Sequence, residues 1–297
     1  MNDETRRTAA IRLHEEGMAL ENAGDSEGAL RKYFAALELD FDRSSTHYNI
    51  GLIYKYRGAW KESFRFNKRA HELATDDEAA AWNLAIAATA LRDWTTARAV
   101  WNSLNLPIGL GHDPICENFG ITPIRLNPDS DGEVVWARRI DPVRARLSNI
   151  PLTDSGCRYG DIVLHDGAAV GHREHGGREY AVFNMLEVFE ESNFSTFEAD
   201  ILAPAEADIT VLEEISDRVG IAFEDWSQSV QVLCKACSEG RPHDHHDGNG
   251  ADKAWTAERR VALAARSSSD VQAVLDEWAT ATRKVTGWQE TLAASNH

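Results

Sequence analysis

Five side chains able to hold a metal fall within thirteen residues of one another: Cys234, Cys237, His243, His245 and His246. Two thiols separated by two residues can turn into a single loop, which places both sulfurs for a tetrahedral ion. Gly240 and Pro242 let the chain bend back, so imidazoles can reach the other two positions. A set of two cysteines and two histidines suits zinc in ligand softness and geometry. Which two of the three histidines ligate is left open, and Asp244 and Asp247 stand where they could orient a ligating ring. Ligands drawn from one local loop tend to close a site, so the pattern predicts a structural zinc over a catalytic one. The plainer reading is a redox-inert C-x-x-C pair beside a solvated His-rich loop, and five donors in so short a run weigh against that coincidence.

Other chemistry finds less support. Zinc nucleobase deaminases join H-x-E to P-C-x-x-C. His172-Arg173-Glu174 has the first form, but Leu233 stands where the proline belongs and the H-x-E falls in a hairpin-like pattern. The chain contains no G-x-S-x-G, H-E-x-x-H, P-loop or dinucleotide fingerprint. His165-Asp166 and Asp154-Ser155 read as turn and strand-end residues rather than parts of a triad. Cys116 and Cys157 are isolated in sequence and read as structural. The expectation is a protein that is not an enzyme. The alternative is a zinc-dependent hydrolase-type enzyme, its site between a β-rich domain and the 234–246 loop, using zinc-bound water.

The elements around that loop are announced by a repeat. Over residues 10–107 the pattern returns every 34 positions: Gly17 recurs as Gly51 and then Ala85. Ala29, Ser63 and Ala97 form a second series, Ala36 returns as Ala70, and Tyr33 maps through Asn67 onto Trp101. Small residues at two crossing points, at this period, are the sequence form of stacked helix–turn–helix units. The spacing predicts helices at about 8–22, 27–39, 44–57, 61–73, 78–91 and 94–105, with Asp25, Gly58-Ala59 and Asp93 in the turns inside each pair. Three repeats are close to the minimum for a stable stack, so the segment after them is expected to act as a cap.

This stretch resembles the tetratricopeptide repeat, whose first helix carries the Leu-Gly/Ala pair present here as Ile50-Gly51 and Leu84-Ala85. The resemblance implies a protein-binding array. It also places inward-facing first-helix positions at His14, Met18 and Glu21, at Tyr48, Asn49, Leu52 and Lys55, and at Trp82, Asn83, Ile86 and Thr89. Some members clamp a partner's C-terminal carboxylate with Lys and Asn, then Asn, then Lys and Arg, in successive repeats. Only Asn49 fits that scheme; His14, Met18, Ala79 and Asn83 replace the rest, so the clamp is expected to be missing. Tyr48 and Trp82 suit an apolar or aromatic contact instead, with a partner or with the next domain of the same chain.

At 297 residues, 43% of them hydrophobic, the chain is long enough for two or three folded domains. Pro107, Gly109, Gly111 and Pro114 mark a boundary, after which the period changes to two. The runs 133–140, 144–147, 161–165, 168–173 and 179–189, with turns at Asp166-Gly167 and His175-Gly176-Gly177, predict two hairpins in an antiparallel barrel or sandwich. Beyond residue 195 a strand at 196–202, a helix from Asp208 to Val219 stopped by Gly220, and a strand at 223–234 suggest a small α+β unit. Val271, Val274, Leu275, Trp278, Thr282, Val285, Trp288 and Leu292 recur at three and four, predicting one long amphipathic helix capped by Ser269-Asp270. The expected fold class is therefore multidomain α+β: a three-repeat helical solenoid at 1–107, a β-rich barrel or sandwich at 115–195, and an α+β unit with the zinc loop and C-terminal helices at 196–297.

Charge narrows the partner. The formal net charge is −17, yet residues 1–107 hold 14 Lys/Arg against 16 Asp/Glu. Glu187 to Asp225 contains twelve acidic residues and a single basic one, Arg218. Such a field repels nucleic acid and anionic membranes and attracts basic protein surfaces, unless it is only a solvated face that keeps the protein dispersed. The amino terminus lacks the apolar run of a signal peptide, and no stretch approaches the roughly 18 apolar residues of a membrane span, so a cytoplasmic location is expected. The expected function is a protein–protein interaction protein that holds one specific, basic partner through Tyr48, Asn49, Leu52, Lys55, Trp82, Asn83 and Ile86, steered by Glu213, Glu214 and Asp217. A bacterial immunity protein against a basic toxin, or an adaptor or chaperone for an effector, fits that description.

Overall fold

The computed structural model describes residues 2–130, 132–229 and 255–295, and the chain divides into two compact units, Met1–Cys116 and Glu117–His297. The first unit is six helices in three pairs: α1 (Asp3–Asn22) with α2 (Ser26–Leu39), α3 (Ser44–Tyr56) with α4 (Trp60–Leu73), and α5 (Glu78–Ala90) with α6 (Trp94–Ser103). Aspartates start several of them. Asp25, Asp77 and Asp93 each accept from amides of the first turn that have no partner inside the helix.

The small residues of the repeat sit where paired helices cross. A Cβ on Gly17 would lie 2.5 Å from the Tyr33 ring, and one on Gly51 would lie 2.6 Å from the Asn67 amide. In the second pair the crossing is also hydrogen-bonded: Ser63 Oγ donates to the Gly51 carbonyl at 3.0 Å, and Asn67 donates to the Ser63 carbonyl at 2.9 Å. Helix α5 is rich in alanine and buried on nearly its whole circumference. The segment after α6 folds back on that helix. Arg98 donates to the carbonyls of Gly109, Asp113 and Pro114, Asn102 donates to that of Ile108, and Ile108 and Ile115 are fully buried.

The second unit begins with a closed five-stranded barrel: β1 (Ile121–Leu126), β2 (Glu133–Arg139), β3 (Arg144–Leu147), β4 (Ile162–His175) and β5 (Arg178–Glu190). Neighbours are antiparallel except at the closure, where β1 meets β5 in parallel, Ile124 against Phe183. Ile124, Leu126, Val135, Ala137, Ala145, Leu147 and Val163 fill the interior. The glycine pair Gly176-Gly177, both at positive φ, makes the tight turn between β4 and β5. Asp166-Gly167 does not make the turn expected of it. Its carboxylate accepts from the Gly167 amide at 2.7 Å, and β4 continues through it as a bulge, the register moving from His165–Met185 to Ala169–Phe183. The two expected hairpins are therefore one long one.

After the barrel come β6 (Ser195–Leu202), α7 (Glu206–Val219), β7 (Ala222–Glu224), a short α8 (Trp226–Ser229), β8 (Glu258–Ala265), α9 (Ser268–Trp278) and β9 (Lys284–Leu292). The sheet order is β7-β8-β6-β9, all antiparallel, with α7 and α9 on one face. Among the described residues, and setting α8 aside, this β–α–β–β–α–β arrangement is the ferredoxin-like topology. Its core joins Phe197, Ile201, Val261 and Leu263 of the sheet to Leu212, Val271, Leu275 and Trp278 of the helices. On the opposite face of β8, Ala262 and Ala264 pack with Ile150 and Trp226.

Two expectations change here. The strand foreseen at 223–234 ends at Glu224 and gives way to α8; residues 230–254 lie outside the described residues. The long helix foreseen through Leu292 ends at Trp278. Ala279 turns extended, and the Thr280 hydroxyl accepts from the Thr282 and Arg283 amides, so residues 284–292 become β9. The helical spacing there has a β explanation. β9 is bulged opposite Asp200–Ile201, which lets Val285 and Trp288, three apart, both pack on the same core.

Candidate functional site

The first helices α1, α3 and α5 bring the expected partner-binding side chains of the array together, but not all at its surface. Tyr33 of α2 reaches across to this side. Its phenol donates to Glu21 at 2.7 Å and accepts from Asn49 Nδ2 at 3.1 Å, and burial raises its pKa. Asn49, the one residue matching the carboxylate clamp, is thereby engaged inside the array. His14 is buried beside the Tyr33 ring, with Nδ1 3.0 Å from the Thr46 hydroxyl. Desolvation, reinforced by Arg43, lowers its pKa and keeps the ring neutral.

Lys55, Asn83 and Ile86 were expected on the partner surface, and the structure buries all three. Lys55 Nζ donates to Asn83 Oδ1 at 3.1 Å between α3 and α5, and Ile86 and Thr89 are fully enclosed. The alanines of α5 let its neighbours close over faces that an amphipathic reading leaves open. Tyr48, Asn49, Leu52 and Trp82 remain half-buried. Trp82 meets the fully buried Trp101 edge to face, ring centroids 4.9 Å apart, so its ring is held by packing.

The acidic block separates into two groups. Several of its carboxylates have internal partners: Asp225 pairs with Arg259 in a buried contact, and Glu198 meets Arg260 at 2.6 Å. Glu224 accepts from the Ile150 amide at 2.8 Å, and Asp208 accepts from the Ala205 amide at the start of α7. Glu213, Glu214 and Asp217 are exposed on α7, whose Arg218 is paired with Glu277. These three stand in the second unit, and the tyrosine–tryptophan surface stands in the first.

Among the described residues the catalytic patterns do not assemble. His165 is fully buried and held neutral, its pKa pushed down to about 3 by desolvation, and its Nδ1–H donates to the backbone carbonyl of Asp166. Ser155 donates to the Leu152 carbonyl instead of meeting that imidazole. His172 and Glu174 are exposed on the β4–β5 hairpin. Cys157 is buried, its thiol pushed up to about 12 by burial, and lies 3.7 Å from the Met185 sulfur. Cys234, Cys237, His243, His245 and His246 lie outside the described residues, and with them the loop on which a hydrolase site would depend. Among the described residues no group of three His, Cys, Asp or Glu side chains could hold a metal, and no helix is long and apolar enough to cross a membrane.

No family model and no curated protein matches this chain. Similar solved structures include the Arabidopsis OM64 TPR domain, at 16% identity over 34% of this chain and 85% of that one, with a TM-score of 0.32. The C-terminal TPR-containing domain of a Plasmodium falciparum FK506-binding protein is similar at 16% identity, over 35% and 82%, with a TM-score of 0.33. The second TPR of Spaghetti (RPAP3), bound to the HSP90 peptide SRMEEVD, is similar at 18% identity, over 38% and 93%, with a TM-score of 0.33. Within the chain itself, three helix pairs follow a 34-residue register, with Gly17, Gly51 and the fully buried Ala85 at the crossings. Residues Asp3–Ser103 fold as three helix pairs of the tetratricopeptide kind.

Proposed function

We propose that this protein holds a specific protein partner through the first-helix side of its tetratricopeptide array. The observation that carries the reading is the aromatic surface itself. Trp82 is half-exposed and locked against Trp101, and Tyr48 and Leu52 are half-exposed on the neighbouring α3. Rigid aromatic groups that keep part of their area in water are the side chains from which binding hot spots are made. The partner's contact surface is basic in this reading, since Glu213, Glu214 and Asp217 present an acidic strip on α7 that their own unit does not neutralise by any ion pair among the described residues. An immunity or adaptor role towards a basic toxin or effector is the form of function that such a binder would take. A zinc bound by Cys234, Cys237 and two of His243, His245 and His246 completes the proposal as a structural staple. The test is to isolate the full chain with its partner and measure association kinetics with wild type and Trp82→Ala. Faster dissociation of the variant supports the reading, and unchanged kinetics overturn it.

A further inference from the structure

We propose that the cleft between α2 and α4, on the second-helix side of the array, binds an amphipathic organic anion: an apolar, ring-sized body carrying one carboxylate or sulfonate. The cleft has a volume of about 690 Å³, inside the range of about 300–1,000 Å³ typical of small-molecule sites. Its apolar side is aromatic. Phe34 and Phe66 meet at 5.8 Å and 64°, and the His47 ring also lies 5.8 Å from Phe66. His47 is fixed by its Nε2–H, which donates to the Phe41 carbonyl at 2.8 Å; desolvation lowers its pKa, so it adds no charge to the wall. At the mouth, Phe41 is 63% exposed and Phe34 is 37% exposed, a large aromatic area left in water.

The rim supplies the charge. Arg65 lies over the Phe66 ring at 4.5 Å and Lys68 sits 6.0 Å from the centre of Phe64, and both are exposed. Among the described residues neither has a carboxylate within ion-pair distance. Their neighbour Arg69 differs: Asp42 and Glu72 both pair with it. Glu38 stands on the α2 wall, so an anionic head is directed to the α4 side, towards Arg65 and Lys68.

Nothing in the helix pairing demands this combination. One repeat further on, Thr75, Ala81, Ala99, Asn102 and Ser103 occupy the places of Phe41, His47, Arg65, Lys68 and Arg69. The positions that do return at that interval are the crossing residues. The aromatic wall and its cations therefore belong to the junction of the first two repeats alone, away from the Tyr48–Trp82 surface.

The experiment titrates the full chain with 1-pyrenebutyrate and with 1-pyrenebutylammonium, which share an apolar body and differ in the sign of the head group. The anion is expected to bind at least about tenfold more tightly than the cation, in line with two rim charges acting together. The Arg65→Glu, Lys68→Glu double variant should lower anion affinity about tenfold and raise cation affinity, with melting unchanged because both side chains are exposed. Phe41→Ala should weaken both probes. Equal affinity for the two probes, unchanged anion affinity in the double variant, or no binding by either would overturn the assignment. So would an acidic tryptophan-containing hexapeptide that occupies the cleft and is not displaced by 1-pyrenebutyrate, since the cleft would then be a peptide groove.

Discussion

Asn67 occupies the space into which any side chain on Gly51 would have to grow: a Cβ there would fall 2.6 Å from its amide nitrogen and 2.7 Å from its Cγ. The amide has little room to retreat, because it is fully buried and donates to the Ser63 carbonyl and hydroxyl. Gly51→Leu should therefore separate α3 from α4, at a cost of about 1–3 kcal/mol or more, a large share of a small array's stability. Thermal unfolding followed by circular dichroism is expected to show an early loss of helical signal. Gly58→Ala, by contrast, meets nothing within 4 Å and should cost only the strain of its positive φ. Equal melting of Gly51→Leu and wild type would refute the crossing.

A pH effect is expected from the start of β2. Desolvation raises the Glu133 carboxyl from 4.5 to about 7; the Leu152 amide, which donates to it, opposes the rise, and nearby Glu224 adds to it. A folded pKa above the unfolded one means stability that is complete below the unfolded value and is lost as pH rises through the folded one. Glu133→Gln keeps an acceptor for Leu152 without the charge. Its melting temperature relative to wild type should be near zero at about pH 4 and grow more positive from about pH 5 to pH 8. His165 acts in the opposite sense, since its depressed pKa removes stability as pH falls below its ordinary value. That contribution is common to both proteins and cancels in the difference.

If the partner is basic, its association with wild type should slow as salt is added while dissociation changes little, because steering acts at long range and is screened over about 10 Å near 0.1 M salt. Replacing Glu213, Glu214 and Asp217 by their amides should reproduce the slow association at low salt. A rate indifferent to both changes leaves the α7 carboxylates as a solvated face.

Protein purified without a histidine tag should carry about one zinc per chain by elemental analysis. Cys234→Ser with Cys237→Ser should lose it. Retention of the metal by the double variant excludes these thiols as its ligands.

The helical half of the fold was legible because each repeat repeats its own steric demands. Gly17, Gly51 and Ala85 recur at fixed spacing, and Asp25 and Asp93 mark the starts they cap. The sheets were less so. β1 leaves a faint trace in the sequence because Pro123 interrupts a short run, and it pairs with β5 only at Ile124 and Arg125. β9 mimicked a helix because its bulge resets the alternation between Val285 and Trp288. The partner surface was half legible. The repeat register placed Tyr48 and Trp82 on first helices, but the burial of Lys55, Asn83 and Ile86 depends on how closely the alanines of α5 admit their neighbours, which no local pattern encodes.

The pairing of β6 with β9 sets an order of events during synthesis. Ile201 meets Val285, and Ala199 meets Trp288, across more than eighty intervening residues, whereas every contact that closes a helix pair joins neighbours in the chain. Non-local pairings must wait for their loops to close and form slowly. A chain leaving the ribosome can complete α1–α6 while the ferredoxin-like sheet still lacks one of its edges, so β6 passes through a stage with one side unpaired. The growing polypeptide is most vulnerable to wrong association in that interval, and a pulse of protease during translation should cut the second unit while sparing the first.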